Sequence, residues 1–233
     1  MGFVRPLWQW DEDRQVGTDY TDETEVRVYD QRMSALRDRA EENRCTIELL
    51  GVTQSDSVLE VGTGTGSVAL QCARVAERVV ALDVSQAMLN YAAEQAERDG
   101  IRNISFVRAG FLSYVHEGPP VDLVVSQLAL HHLPDPWKLV ALRRLAGIVR
   151  SGGRLLLSDV VFPDDAATDF AGYCEALVGA MPSSSATEMA RHLASEFSTF
   201  DWAMRGILIR AGFSLEHART EGAFLTHYLC RRP

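Results

Sequence analysis

Glu60 stands two residues ahead of Gly62-Thr63-Gly64-Thr65-Gly66, at the end of an apolar run that begins Val58-Leu59. Glycine permits positive φ and lets a ligand approach main-chain atoms that a Cβ would block. A carboxylate beside such a turn suits a ligand carrying positive charge and is awkward next to a pyrophosphate. The dinucleotide pattern G-x-G-x-x-G also fits poorly, since the glycines fall at 62, 64 and 66 and position 67 is Ser. Asp83 follows about twenty residues later, where a carboxylate can accept hydrogen bonds from both hydroxyls of a ribose. It could instead cap the next helix, but Ser85 is better placed for that. His131 and His132 are adjacent. A histidine can act as a base near neutral pH, or it can simply hold neighbouring loops by hydrogen bonds.

The elements that must position these residues follow from the hydrophobic pattern. Residues 57–61 read as a short buried strand, and from Ser67 onward Val68, Ala69, Leu70, Ala73 and Val75 read as an apolar-faced helix. A strand, a glycine turn and a helix N-terminus make a ligand-binding corner at the carboxyl end of a strand. Arg78–Leu82 is a second strand ending at Asp83. Ser85 then caps a helix to about Asp99, with Gly100 beyond its end. Strands are expected at 103–108, 121–126 and 153–159, with Pro136 opening a helix through about Val149. Such alternation implies a parallel sheet wrapped by helices on both faces.

The flanks read differently. Residues 1–20 form an irregular arm whose Phe3, Leu7, Trp8 and Trp10 dock on the domain, followed to Leu50 by one or two amphipathic helices. Gly51 is a C-cap and Gln54-Ser55-Asp56 a turn. After Phe162 the rhythm breaks. Two helices surround Met181-Pro182-Ser183-Ser184-Ser185, a flexible break that serves as a hinge. A helix at 201–211 and strands at 213–218 and 223–230 close the sheet. Asp159 ends the fifth strand and faces the same rim as the other strand ends.

The bulk composition excludes several classes. The 233 residues suit one α/β domain with additions. Hydrophobic content of 46% and charged content of 24% are ordinary for a soluble globular chain. A net charge of −9 repels phosphate backbones, so no nucleic-acid partner is expected, and Arg143, Arg144 and Arg150 read as a solvated helix face. Cys45, Cys72, Cys174 and Cys230 are scattered without a C-x-x-C pair. They suggest neither a disulfide framework nor a metal site, and they fit a reducing cytoplasm. No signal peptide or membrane span is expected.

Glu60-Val61-Gly62-Thr63-Gly64-Thr65-Gly66 resembles the E/D-x-G-x-G-x-G motif of class I S-adenosylmethionine (SAM)-dependent methyltransferases. Residues 83–89, Asp-Val-Ser-Gln-Ala-Met-Leu, resemble the D-x-S-x-x-M-L stretch of the small-molecule members. Val121-Asp122-Leu123 through His131-His132-Leu133-Pro134-Asp135 resembles the family's fourth motif and the loop after it. The likeness covers about residues 55–160, and its nearest group is the UbiE-like methylases with a type 11/25 methyltransferase domain. The N/D-P-P-Y signature of nucleic-acid and protein N-methyltransferases is absent, as is the cysteine set of arsenite methyltransferases.

The resemblance implies a Rossmann-like, doubly wound α/β sheet of seven strands, mostly parallel with the last strand antiparallel. Residues 1–50 would cover the site, and 51–233 would be the catalytic domain, with 162–212 as a helical cap insertion on the acceptor side. SAM would be the cofactor. Glu60, Gly62, Thr63, Gly64, Thr65 and Gly66 would hold its amino-acid end, and Asp83 its ribose. Val84, Met88, Gly110 and Phe111 would meet the adenine, and Gln127 and Leu128 the methionyl part. An acid often sits near position 111 in the family; Phe111 departs from that. Tyr20 or Tyr29 would cover the sulfonium. His131 and His132 are the candidate catalytic residues. The expected reaction is in-line methyl transfer to a small molecule, by a monomer or homodimer in the cytoplasm. The rivals are an NAD(P)-dependent oxidoreductase on a similar sheet and a SAM-binding protein without catalysis.

Overall fold

The computed structural model describes residues 5–14, 20–36 and 39–233. Phe3 and parts of the expected N-terminal arm lie outside the described residues. Helices α1 (Glu23–Leu36) and α2 (Arg39–Leu50) lead into β1 (Ser57–Val61), α3 (Ser67–Ala73), β2 (Arg78–Asp83), α4 (Gln86–Arg98) and β3 (Ile104–Arg108). Then come β4 (Val121–Gln127), a 3-10 turn at Leu130–His132, α5 (Asp135–Ile148) and β5 (Val149–Phe162). A second 3-10 turn, α6 (Phe170–Ala180), α7 (Ser183–Ser195), β6 (Thr199–Phe200), α8 (Asp201–Ala211), β7 (Ser214–Glu221) and β8 (Leu225–Arg231) complete the chain.

The strands order as β3-β2-β1-β4-β5-β8-β7, with the two-residue β6 beside β5. All pairings are parallel except those of β8, which runs antiparallel to β5 and β7. The order reverses between β1 and β4, so the loops leaving those two strands diverge and open a crevice at their carboxyl ends. Period-two alternation splits the core between the sheet's faces. Leu59, Val124, Leu155 and Leu157 pack with α5 and α8, while Val58, Leu123, Val125 and Leu156 pack with α2 and α3.

Several local signals act as read. The Ser85 hydroxyl accepts from the Met88 N–H at 3.2 Å and starts α4. Gly51 and Gly100 take positive φ where helices end. Other expectations need correction. Strand β5 does not stop at Asp159 but runs to Phe162, because Val160 still pairs with Leu225 and Val161 with Thr199. Asp159 is therefore a fully buried strand residue, not a rim residue. The break at 181–185 shrinks to Met181-Pro182, since the three serines lie in the first turn of α7. Arg144 donates to the Phe111 and Tyr114 carbonyls, and Arg150 sits on β5 against Asp122 at 2.6 Å, so neither belongs to a solvated helix face. The four cysteines are free, and no described helix is long and apolar enough to cross a membrane.

Candidate functional site

The crevice at the β1/β4 switch is a cleft of about 1200 Å³, part of it open to solvent. Its floor is the turn after β1. Gly62, Gly64 and Gly66 all have positive φ (76°, 52° and 81°). At Gly62 there is also no room: a Cβ would lie 2.3 Å from that of Ala129, in the loop after β4. Two N–H groups of the turn, Gly62 and Thr63, close on the Leu82 carbonyl at 2.9 and 2.8 Å, which ties β1's exit to β2's. The floor of the cleft and the end of β2, which carries Asp83, are thus one unit.

Glu60 is only 2% exposed and faces this floor. The Thr63 hydroxyl donates to it at 2.6 Å. Burial lifts its pKa to about 8, against the Thr63 and Ala69 donors, with Asp83 adding to the rise. A buried carboxyl held near neutrality is receptive to a cationic ligand group. Asp83 receives the Gly64 N–H on Oδ2 and the Ser85 N–H on Oδ1, both at 2.8 Å. Burial raises its pKa although these donors oppose the shift. Asp83 lines the cleft, where its carboxylate can accept a ligand hydroxyl.

The far wall is shared between the sheet and the N-terminal segments. Val84, Met88, Ala109, Gly110 and Phe111 line it, and Glu12 reaches in from the arm. Both Glu12 oxygens accept from the Leu112 N–H, at 2.9 and 3.2 Å, and a Cβ on Gly110 would lie 2.4 Å from that carboxylate. Phe111 lines the cleft and also belongs to the core beneath it. Above, the rings of Tyr20 and Tyr29 meet edge to face at 5.9 Å, and Tyr20 lies 6.4 Å from the His132 ring. Asp30 of α1 receives the Thr65 hydroxyl at 2.6 Å, and Asn43 of α2 reaches the Ser67 carbonyl at 3.3 Å, so both helices are fastened to the glycine turn.

Behind the cleft lies a buried charged cluster. Asp159 Oδ2 accepts the His131 backbone N–H at 3.0 Å, and its Oδ1 pairs with His131 Nδ1. His131 Nε2 lies 3.0 Å from Glu196 Oε2, which His192 Nδ1 approaches to 2.5 Å. Burial opposes charge on His131, but Asp159 and Glu196 outweigh it and lift the ring to about 9. Burial works to raise Glu196, yet His131 and His192 hold it well below the usual carboxylate range. His132 goes the other way: burial and the His131 charge push it down to about 4. The two adjacent histidines therefore differ in kind, one an ion-paired cation and one a neutral ring.

Of the residues expected from the sequence, Glu60, Gly62, Thr63, Gly64, Thr65, Asp83, Val84, Met88, Gly110, Phe111, Gln127, Leu128 and His132 line the cleft. Gly66 and His131 do not. Gly66 instead lets α3 approach α4, where a Cβ would come within 2.8 Å of that of Ala92. Leu128 has a positive φ of 52°, uncommon for a branched side chain and placed right at the cleft. Gln127 donates to the Thr46 hydroxyl of α2 at 2.5 Å. Among the described residues none from 162–212 lines the cleft; that segment meets it from behind, through Glu196 on His131 and the Phe197 N–H on the His131 carbonyl at 2.8 Å. Glu12, Arg14, Glu42 and Asn43 line the cleft without a sequence signal that marked them. Glu42 and Asn43 are a polar pair on a helix already expected to cover the site, which was the available hint.

Residues 58–153 match the family model described as a methyltransferase domain. This stretch is therefore similar to methyltransferase domains, and the sheet it builds is the Rossmann-like α/β sheet described above. An uncharacterized methyltransferase of Bacillus mycoides is 29% identical over 164 residues, 70% of this chain and 72% of the relative. Among solved structures, a SAM-dependent methyltransferase from Aquifex aeolicus superposes with a TM-score of 0.65 at 19% identity, covering 91% of this chain and 99% of that one. The N-methyltransferase NodS from Bradyrhizobium japonicum, solved with S-adenosylhomocysteine (SAH), gives 0.62 at 17% identity, with 83% and 87% covered. These structures share the fold of the methyltransferase domain. The matched stretch contains β1 to the start of β5, and so holds Glu60, the glycine turn, Asp83 and both histidines.

Proposed function

We propose that the protein transfers a methyl group from SAM to a small-molecule acceptor, as a UbiE-like methylase acting in the cytoplasm. The observation that carries this reading is Glu60: a carboxyl buried at the floor of the cleft, poised near neutrality beside three positive-φ glycines. A ligand with an ammonium draws the proton off and pairs with the carboxylate, whereas a pyrophosphate offers it no counter-charge. The donor set fits SAM. Glu60 and the turn at 62–66 take the amino-acid end, Asp83 takes the ribose hydroxyls, and Val84, Met88 and Phe111 offer an apolar slot for the base.

Bound SAM supplies an electrophilic methyl group on a sulfonium. The chain's own part is alignment and exclusion of water. Tyr20 and Tyr29 close the cleft from above, and their ring faces suit a cation. His132, neutral at pH 7, can accept a proton from an acceptor or hold it by a hydrogen bond. Fixing the acceptor in line is worth up to roughly 7–11 kcal/mol in favourable cases. Among the described residues, those of 162–212 back the cleft and do not line it, and bear on it through the His131–Glu196 contact.

Incubation with methyl-labelled SAM and a pool of small metabolites tests the proposal. Label appearing in a small-molecule product, dependent on Glu60 and Asp83, is the expected result. SAM binding without any label transfer would make the protein a non-catalytic binder and defeat the enzymatic reading.

A further inference from the structure

His131, His132 and Glu196 each present one ligand atom, and the three atoms lie within 4.8 Å of one another. We propose that these residues bind one divalent transition-metal ion at the inner edge of the cleft. The site rests on its own geometry and does not depend on the methyl-transfer reading; with the ion bound, His132 is a ligand and the proton-accepting role falls to a group on the ion.

The arrangement around His131 is what a metal-binding imidazole requires. Asp159, fully buried, takes the His131 backbone N–H and engages ring Nδ1. That carboxylate keeps the proton on Nδ1 and turns Nε2 toward Glu196, 3.0 Å away. A carboxylate on the remote nitrogen fixes the tautomer and raises the ring's strength as a ligand. Glu196 is held in turn by His192 Nδ1 at 2.5 Å. The two halves of the site come from distant parts of the chain, and the backbone pins them together. The Phe197 N–H donates to the His131 carbonyl at 2.8 Å, and the buried Lys138 ammonium holds the Phe197 carbonyl. The ligands are therefore positioned before any ion arrives.

Two imidazoles and one carboxylate suit Zn²⁺, Co²⁺ or Ni²⁺ better than Mg²⁺ or Ca²⁺, which prefer all-oxygen shells. On binding, the ion takes the place of the proton between His131 Nε2 and Glu196, and that proton leaves to solvent. His132 lines the cleft, so a further ligand from the cleft can reach the ion on that side. An oxygen group, such as a hydroxyl or carboxylate, is the class that would complete the coordination.

The test is cobalt titration of the chelator-stripped full-length protein, followed by its visible absorption, with Zn²⁺ competition by calorimetry. The expected result is one equivalent of Co²⁺ bound, displaced by Zn²⁺, and weakened at least about tenfold in both His132→Ala and Glu196→Gln. Circular dichroism shows whether each variant is folded, and His132, at the cleft wall, gives the change least able to disturb the core. No binding near one equivalent in the wild type leaves the cluster as an ion-paired His131 alone and overturns the proposal. Binding unchanged in a folded His132→Ala, or a thiolate-to-cobalt charge-transfer band, puts the ion elsewhere and overturns it as well.

Discussion

Glu60→Gln exchanges a titrating carboxyl for a neutral amide of nearly the same shape. In the ligand-free protein burial lifts Glu60 to about 8, so at pH 7 most molecules carry a proton there. An ammonium placed against it favours the carboxylate, and the complex then binds about one proton fewer than the free protein. Binding must tighten as pH rises toward 8 and level off above it. Removing the proton costs about 2.7 kcal/mol at pH 6 and about 0.8 kcal/mol at pH 7.5 for a group titrating near 8. The SAH dissociation constant should therefore fall about twenty-fold over that range. Calorimetry in buffers of different ionisation heat should read close to one proton released per SAH at the acid end. Glu60→Gln should lose both the release and the slope. A flat affinity in the wild type, or the same slope in the variant, refutes the reasoning. The shift also affects stability. The folded state keeps a proton that the unfolded chain gives up above its ordinary value of 4.5. That contribution is full below pH 4.5 and is lost as pH rises through about 8.

Asp83→Ala should weaken SAH binding by about 1.5–3 kcal/mol, the range for hydrogen bonds to a charged group; an unchanged dissociation constant in a folded variant removes Asp83 from the site. Gly62→Ala should cost about 2–4 kcal/mol in denaturant unfolding, from positive φ and from the 2.3 Å approach to Ala129. Adding Ala129→Gly should recover the packing part, and a single-variant cost near zero contradicts the close approach. Tyr173 donates to the Ala223 carbonyl at 2.8 Å and packs with Phe162 and Phe170. Tyr173→Ala should thus lower stability by about 1–3 kcal/mol while SAH affinity stays within about twofold; a large loss of SAH affinity would show that α6 bears on the cofactor after all.

The parts of the site legible in the sequence are those encoded locally. The β1 strand, its glycine turn, Asp83 and the Ser85 cap lie in one contiguous stretch, where residue type and spacing fix conformation. Asp159 was visible but misplaced, because the end of β5 is decided by its partners, Leu225 on β8 and Thr199 on β6, far along the chain. Strand β6 itself, two residues long, has no periodicity to detect. Glu12 sits in an arm without helical or strand pattern, and its place against Leu112 comes from tertiary contact alone. The pairing of Glu196 with His131 spans the cap segment and the loop after β4, so no local spacing reveals it. Phe111 is the instructive case: no acid stands at that position, and the carboxylate found on that wall of the cleft comes from Glu12.

The central claim is that the cleft accepts SAM through Glu60 and Asp83 and rejects nicotinamide dinucleotides. Parallel calorimetric titrations of the purified protein with SAH and with NADH at pH 7.5 test it most directly. The expected result is one SAH bound per chain and no heat from NADH beyond dilution. Saturable NADH binding with no response to SAH would contradict it.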